Sequence, residues 1–189
     1  MQFLIYGSRS FGLTVSSLIE DCGYQVLGML DDQSPGEKVV GTFEDACRQF
    51  PRDSVAIALG IGYNDLAARW QAWQRIRCAG WSSPALVHPR AFVSRSAQLG
   101  EGTLVMAGAI VDRQVHIGEA SVLWPGACVN DDVKVGANTF VSPNATLCGE
   151  ARIGAHSFIG AGAVLADGAV VPEGSFVKMG TAYAVRFAA

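Results

Sequence analysis

The sequence predicts two architectures in series. Residues 1–87 read as a small Rossmann-like α/β domain, residues 88–180 as a triangular parallel β-helix, and residues 181–189 as a C-terminal tail. Three observations predict this. Every sixth residue from Val93 to Val177 is Val, Leu or Ile. Glycine is abundant, 22 of 189 residues, against an average of about 7%, and it shows no collagen triplet. Strand-like and helix-like stretches alternate ahead of the repeat.

The strict period of six fits neither a helix nor a plain strand. One short strand and one corner per six residues does fit it. Val93, Leu99, Val105 and their successors then point inward. Small residues four places later, such as Ala109, Ser121, Ala127 and Ala145, suit crowded corners. Glycines that directly follow the aliphatic residue, Gly100, Gly118, Gly136, Gly154 and Gly160, are expected to relieve backbone strain. Three edges close one coil, so residues 18 apart stack at about 4.8 Å. A sandwich of short strands would need irregular turn spacing.

Stacking makes columns. Leu104, Val122, Phe140, Phe158 and Phe176 form an outward apolar column. The expectation is a threefold subunit interface; a covering element from the same chain is the alternative. His116, Lys134 and Arg152 form a basic column that either holds an anion or is a solvated face. Arg113 falls one coil below Asp131, which predicts an ion pair between them.

In the N-terminal part, Gln2–Tyr6 is a buried strand leading into the turn Gly7-Ser8-Arg9-Ser10-Phe11-Gly12 and a helical stretch to about Cys22. A second strand, Tyr24–Leu30, ends in Asp31-Asp32, and a third spans Val55–Gly60. Asn64–Ala79 reads as an amphipathic helix, its Trp residues in the core. Gly7, Ser8, Arg9 and Gly12 could offer backbone N–H groups to a phosphate, and Asp31 or Asp32 could take a sugar or base hydroxyl. Arg9 stands where a dinucleotide fingerprint wants Gly, and a tight structural turn is the other reading.

Composition excludes several classes. Half the residues are hydrophobic and 16% are charged, which excludes a disordered chain. A formal charge of −3 argues against a nucleic-acid backbone as the main partner. The five cysteines contain no CxxC pair, as expected of reduced thiols in a cytoplasmic protein. Neither a signal-peptide pattern nor an apolar run of about 20 residues is read, so a membrane-spanning protein is not expected. No metal is expected: His88, His116 and His156 are not spaced by multiples of 18, as ligands converging across coils would be.

An α/β domain followed directly by hexads resembles the sugar acyltransferases that include sialic acid O-acetyltransferases and the bacillosamine-pathway N-acetyltransferase. The resemblance rests on the first Gly turn, Gly23-Tyr24 with Asp31-Asp32, Gly62-Tyr63-Asn64, Val87-His88-Pro89, Val105-Met106-Ala107-Gly108-Ala109 and Ile159-Gly160-Ala161-Gly162-Ala163. It implies a left-handed β-helix and a homotrimer, here through Val122, Phe140, Phe158 and Phe176. It also implies acetyl-CoA or another acyl-CoA as cosubstrate, and a nucleotide-linked sugar acylated on an amino or hydroxyl group. Substrate-binding residues would be Gly7, Ser8, Arg9, Gly12, Asp31 and Asp32. The coenzyme would be lined by Gly149, Gly160, Ala161 and Lys178.

The chain departs from that family at the chemistry. Where the family has its general-base His, this sequence has Asp131; Asp132 matches the orienting carboxylate, and Phe140 replaces a second His. The terminal family Lys is missing from Gly180-Thr181-Ala182-Tyr183-Ala184. A His titrates near pH 6.5 and takes protons at neutral pH, whereas an Arg-paired carboxylate is a weak base. Asp131 and Asp132 are therefore the expected acceptors, with His156 as a replacement base. A homologue that lost catalysis and serves as a binding, scaffold or regulatory protein is the competing expectation.

Overall fold

A computed structural model describes residues 1–34 and 36–185. It divides into two compact units, 1–86 and 87–189.

The first unit holds a four-stranded parallel sheet. Its strands are β1 (Gln2–Tyr6), β2 (Gln25–Leu30), β3 (Val39–Gly41) and β4 (Val55–Leu59), in the order β3-β2-β1-β4. Phe3, Leu4, Ile5 and all of β4 are buried, as expected of a parallel sheet covered on both faces. Helix α1 (Ser10–Asp21) joins β1 to β2, α2 (Phe43–Gln49) joins β3 to β4, and α3 (Leu66–Cys78) follows β4. Trp73 on α3 is fully buried, in keeping with a core role. Strand β3 and helix α2 were not read from the sequence. Their signal is the capping box at Thr42 and Asp45, whose side chains each bond the other's backbone N–H.

The second unit is a β-solenoid of two-residue strands in three parallel sheets. The basic face runs from Gln98–Leu99 through His116–Ile117, Lys134–Val135 and Arg152–Ile153 to Val170–Val171. The aromatic face includes Leu104–Val105, Val122–Leu123, Phe140–Val141, Phe158–Ile159 and Phe176–Val177. The cysteine face runs from Phe92–Val93 through Ile110–Val111, Cys128–Val129, Thr146–Leu147 and Val164–Leu165 to Ala182–Tyr183. All partners are 18 residues apart. The hexad aliphatics from Val105 to Val177 form one buried core with the small corner residues Ala109, Ala127, Ala145, Ala163 and Ala169.

A hydroxyl ladder runs up one corner. Thr103, Ser121, Thr139 and Ser157 donate to the carbonyls of Gly118, Gly136, Gly154 and Pro172 in the next coil. The N–H groups of Thr139, Ser157 and Ser175 return a bond to the hydroxyl one coil before. These corner hydroxyls are thus buried with partners, which removes the penalty for burying them.

Three expectations need correction. The glycines after the aliphatic residue do not relieve strain, since none of them has positive φ. A Cβ on Gly136 would lie 2.4 Å from the Ala155 nitrogen of the next coil, so close coil packing explains glycine there. The left-handed residue is instead every sixth one from Gly102 to Gly180, with φ between 53° and 71°. Seven of these are not glycine, among them Asp132 and His156.

The second correction concerns the aromatic column. Leu104, Val122 and Phe140 are buried within the single chain, so they form no bare interface. Only its last part is open: Phe158 stacks on Phe176 at 5.0 Å, and Phe176 is 69% exposed. Third, the tail starts later than read. Ala182–Tyr183 is a further strand of the cysteine face, and residues 186–189 lie outside the described residues.

Candidate functional site

The α/β unit carries a cleft of about 550 Å³ at the carboxyl ends of its strands. Gly7, Ser8, Arg9, Asp31 and Asp32, the residues expected to bind substrate, all line it. Gly12 does not; a Cβ there would lie 2.1 Å from the Gly7 carbonyl oxygen, so its role is the close approach of α1 to β1. Helix α1 has Arg9 as its N-cap residue, with no side-chain cap hydrogen bond and no acidic residue in its first turn. Its first N–H groups therefore give the cleft a partial positive charge suited to an anion.

Both aspartates are held by this chain. Asp31 accepts Ser8 Oγ at 2.5 Å and the N–H groups of Gln33 and Ser34 at 2.9 Å. Burial pushes its carboxyl up, but these bonds and the Arg9 charge outweigh burial and hold it below the ordinary range. Asp32 accepts Tyr6 Oη at 2.5 Å, the Phe43 N–H at 2.9 Å and Arg75 Nη1 at 2.6 Å. Its burial is likewise outweighed, by Tyr6, Phe43 and Arg75, and its acidity is increased.

The sequence reading missed Tyr6 and Arg75. Arg75 Nη1 also donates to Tyr6 Oη, and its guanidinium lies 4.7 Å from the Phe43 ring centroid. Burial and then the neighbouring Asp32 push the Tyr6 hydroxyl well up, so it stays a donor. The available signal was spacing on α3. Asp65, Ala68, Ala72 and Arg75 fall three or four residues apart and face the cleft together.

In the solenoid the expected ion pair is present. Arg113 Nη2 lies 2.9 Å from Asp131 Oδ2, and Arg113 Nη1 lies 3.1 Å from Asp132 Oδ2. All three side chains are substantially exposed. Gly149 sits one coil above Asp131, and a Cβ there would be 3.4 Å from Asp131 Oδ1 and 3.6 Å from Asp167 Oδ1. The bare Gly149 thus leaves a notch between two carboxylates.

The remaining site residues lie on other corners. Gly160, Ala161 and Lys178 occupy the corner between the aromatic and cysteine faces, while Asp131, Asp132 and Gly149 occupy the corner between the cysteine and basic faces. Gly160 is buried, and its missing side chain makes room for the Met179 backbone, 2.4 Å from a built Cβ. Ala161 and Lys178 are exposed. His156 is on the third corner with Nδ1 3.0 Å from Asn138 Nδ2, so one chain does not bring it to Asp131. His116 Nδ1 is 3.0 Å from the Gln114 carbonyl, and His88 Nδ1 accepts the Arg90 N–H. Among the described residues, no group of three or more His, Cys, Asp or Glu could hold a metal ion, and no helix is long and apolar enough to cross a membrane.

These two units correspond to known modules. Residues 2–75 match the PglD N-terminal domain, and residues 132–167 match the bacterial transferase hexapeptide (six repeats). The α/β unit is thus similar to the PglD N-terminal domain, and the β-solenoid matches a hexapeptide-repeat left-handed β-helix. Two solved structures share this arrangement. The acetyltransferase domain of PglB from Neisseria gonorrhoeae FA1090, in complex with acetyl coenzyme A, is 29% identical with a TM-score of 0.88, over 95% of this chain and 88% of that one. PerB from Caulobacter crescentus, in complex with CoA and GDP-perosamine, is 26% identical with a TM-score of 0.75, over 94% of each chain. No curated protein sequence matches the chain.

Proposed function

We propose that this protein is an acyl-CoA-dependent sugar acyltransferase that acetylates an amino or hydroxyl group of a nucleotide-linked sugar, for glycan or surface-polysaccharide synthesis. The observation that carries this reading is likeness over nearly the whole chain to acetyltransferase structures holding acetyl-CoA, or CoA with GDP-perosamine. The cleft lined by Gly7, Ser8, Arg9, Asp31 and Asp32 suits the nucleotide, with its diphosphate at the start of α1. Asp131 and Asp132 mark the acceptor end. Gly149, Ala161 and Lys178, with the Gly160 backbone, line the coenzyme, which supplies the activated thioester.

The two solenoid corners that carry these groups flank the cysteine face. Its outward side chains, Phe92, Ile110, Cys128, Thr146, Val164 and Ala182, are all uncharged. Phe92 is 59% exposed, and Ile110 and Val164 are 45% exposed. We therefore assign the homotrimer contact to this face, so that the Asp131 corner of one copy approaches the Gly160 corner of the next. Five free thiols accord with a cytoplasmic setting.

The Arg113 bridge to both aspartates favours a second reading, a binding or regulatory protein that keeps the nucleotide site and has lost acyl transfer. Incubation with acetyl-CoA and a panel of UDP- and GDP-linked amino and hydroxy sugars, following free CoA thiol, separates the two. Turnover with any acceptor supports the transferase. Thermal stabilisation by a nucleotide sugar, with neither turnover nor stabilisation by acetyl-CoA, overturns it in favour of the binding protein.

A further inference from the structure

We propose that Arg75 selects the nucleobase, favouring oxo-bases, uracil and guanine, over the amino-bases cytosine and adenine. This rests on the nucleotide-sugar reading above and names its ligand class more closely. Three observations support it.

First, the guanidinium is held in place before any ligand arrives. Asp32 Oδ2 and Tyr6 Oη accept from Nη1, while the rings of Phe43 and Tyr6 lie 4.7 Å and 5.6 Å from the guanidinium carbon. A cation fixed on three sides loses little side-chain freedom on binding. Second, donors remain. Nη2 has only Glu44 Oε1 at 3.6 Å, beyond hydrogen-bond range. An arginine donates and never accepts, so whatever it meets in the cleft must present an acceptor.

Third, Arg75 lines the cleft together with Ala68, Gln71 and Ala72 of α3. The two short alanine side chains leave a low floor where a planar ring can lie, with the α1 N-terminus placed for a phosphate. At the edge read by Arg75, the 4-oxo of uracil or the 6-oxo of guanine accepts a hydrogen bond. The 4-amino of cytosine and the 6-amino of adenine point donors at a donor, and discrimination follows without any change of shape.

The test is calorimetric titration of the full-length protein with UDP, GDP, CDP and ADP, repeated on Arg75→Met and Arg75→Lys. The expected result is about tenfold or more tighter binding of UDP and GDP than of CDP and ADP, matching one well-made base contact. Arg75→Met should bring the four within about twofold, with Arg75→Lys between. Equal binding of all four by the unaltered protein overturns the proposal while leaving the nucleotide reading intact. So does a preference that survives in Arg75→Met. Binding of none of the four overturns both.

Discussion

Arg113 stands one coil before Asp131 and holds its carboxylate at 2.9 Å, so the group proposed as proton acceptor is paired with a cation. The same guanidinium reaches Asp132 at 3.1 Å. A bridge between such exposed groups contributes little to folding, about 0–1 kcal/mol. Its effect is on chemistry. A paired carboxylate is a poor partner for an attacking hydroxyl and less of a handicap for an amine, which is already a nucleophile once neutral.

Asp131→His tests this directly. Acetyl transfer to the best acceptor, followed by CoA thiol release near neutral pH, should rise by about tenfold or more. Asp131→Ala should leave a slow amine acceptor almost unaffected, because positioning supplies much of the rate. A large loss in Asp131→Ala would show that Asp131 acts as the base despite Arg113.

Asp32 ties folding of the α/β unit to pH. Its carboxyl is more acidic than usual in the folded chain, so it contributes stability above the ordinary Asp value of about 3.9. That contribution is lost as pH falls through the lower folded value. Asp32→Asn should therefore lower the urea midpoint at neutral pH, and the difference from the unaltered protein should shrink below about pH 3.9. A gap that widens in acid would contradict the Tyr6, Phe43 and Arg75 bonds as its source.

Glycines in the solenoid separate into two kinds. Gly136→Ala drives a Cβ to 2.4 Å from the Ala155 nitrogen, a backbone atom that cannot yield, and should be strongly destabilising in a melting experiment. Gly162 has φ of +64° with nothing within 4 Å of a built Cβ. Gly162→Ala should cost only about 1 kcal/mol, and Gly162→Asn less, as Asn138 and Asn144 already occupy equivalent places.

The core gives the plainest number. Leu147 is fully buried among the inward aliphatics, and Leu147→Ala should cost about 2–5 kcal/mol by urea unfolding. Ile110→Lys, on the cysteine face proposed as the trimer contact, should leave the fold intact and bring the sedimentation mass from the trimer expected of the unaltered protein down to a monomer. An unchanged mass would place the interface elsewhere.

Much of this molecule was legible because one rule, side chains 18 apart as neighbours, needs no knowledge of tertiary packing. It placed Lys134 beside Arg152 and Arg113 beside Asp131. It was not applied to His156, which was expected as a replacement base although its strand Arg152–Ile153 leads to a different corner from that of Asp131. The rule says nothing about what covers a face, which is why it could not decide between a subunit interface and cover from the same chain for Val122 and Phe140. The α/β cleft has no such arithmetic. Arg75 comes to Asp32 from 43 residues away, and nothing in the strand pattern of Gln2–Tyr6 marks Tyr6 as the residue whose hydroxyl meets both.

The hydroxyl ladder has a mechanical side. Each rung grips only the coils next to it, so the ladder ties the solenoid together one coil at a time. Amide exchange should therefore be graded, fastest at the open Phe176 end and slowest near the middle rungs, like a stack of coins shedding from its free edge.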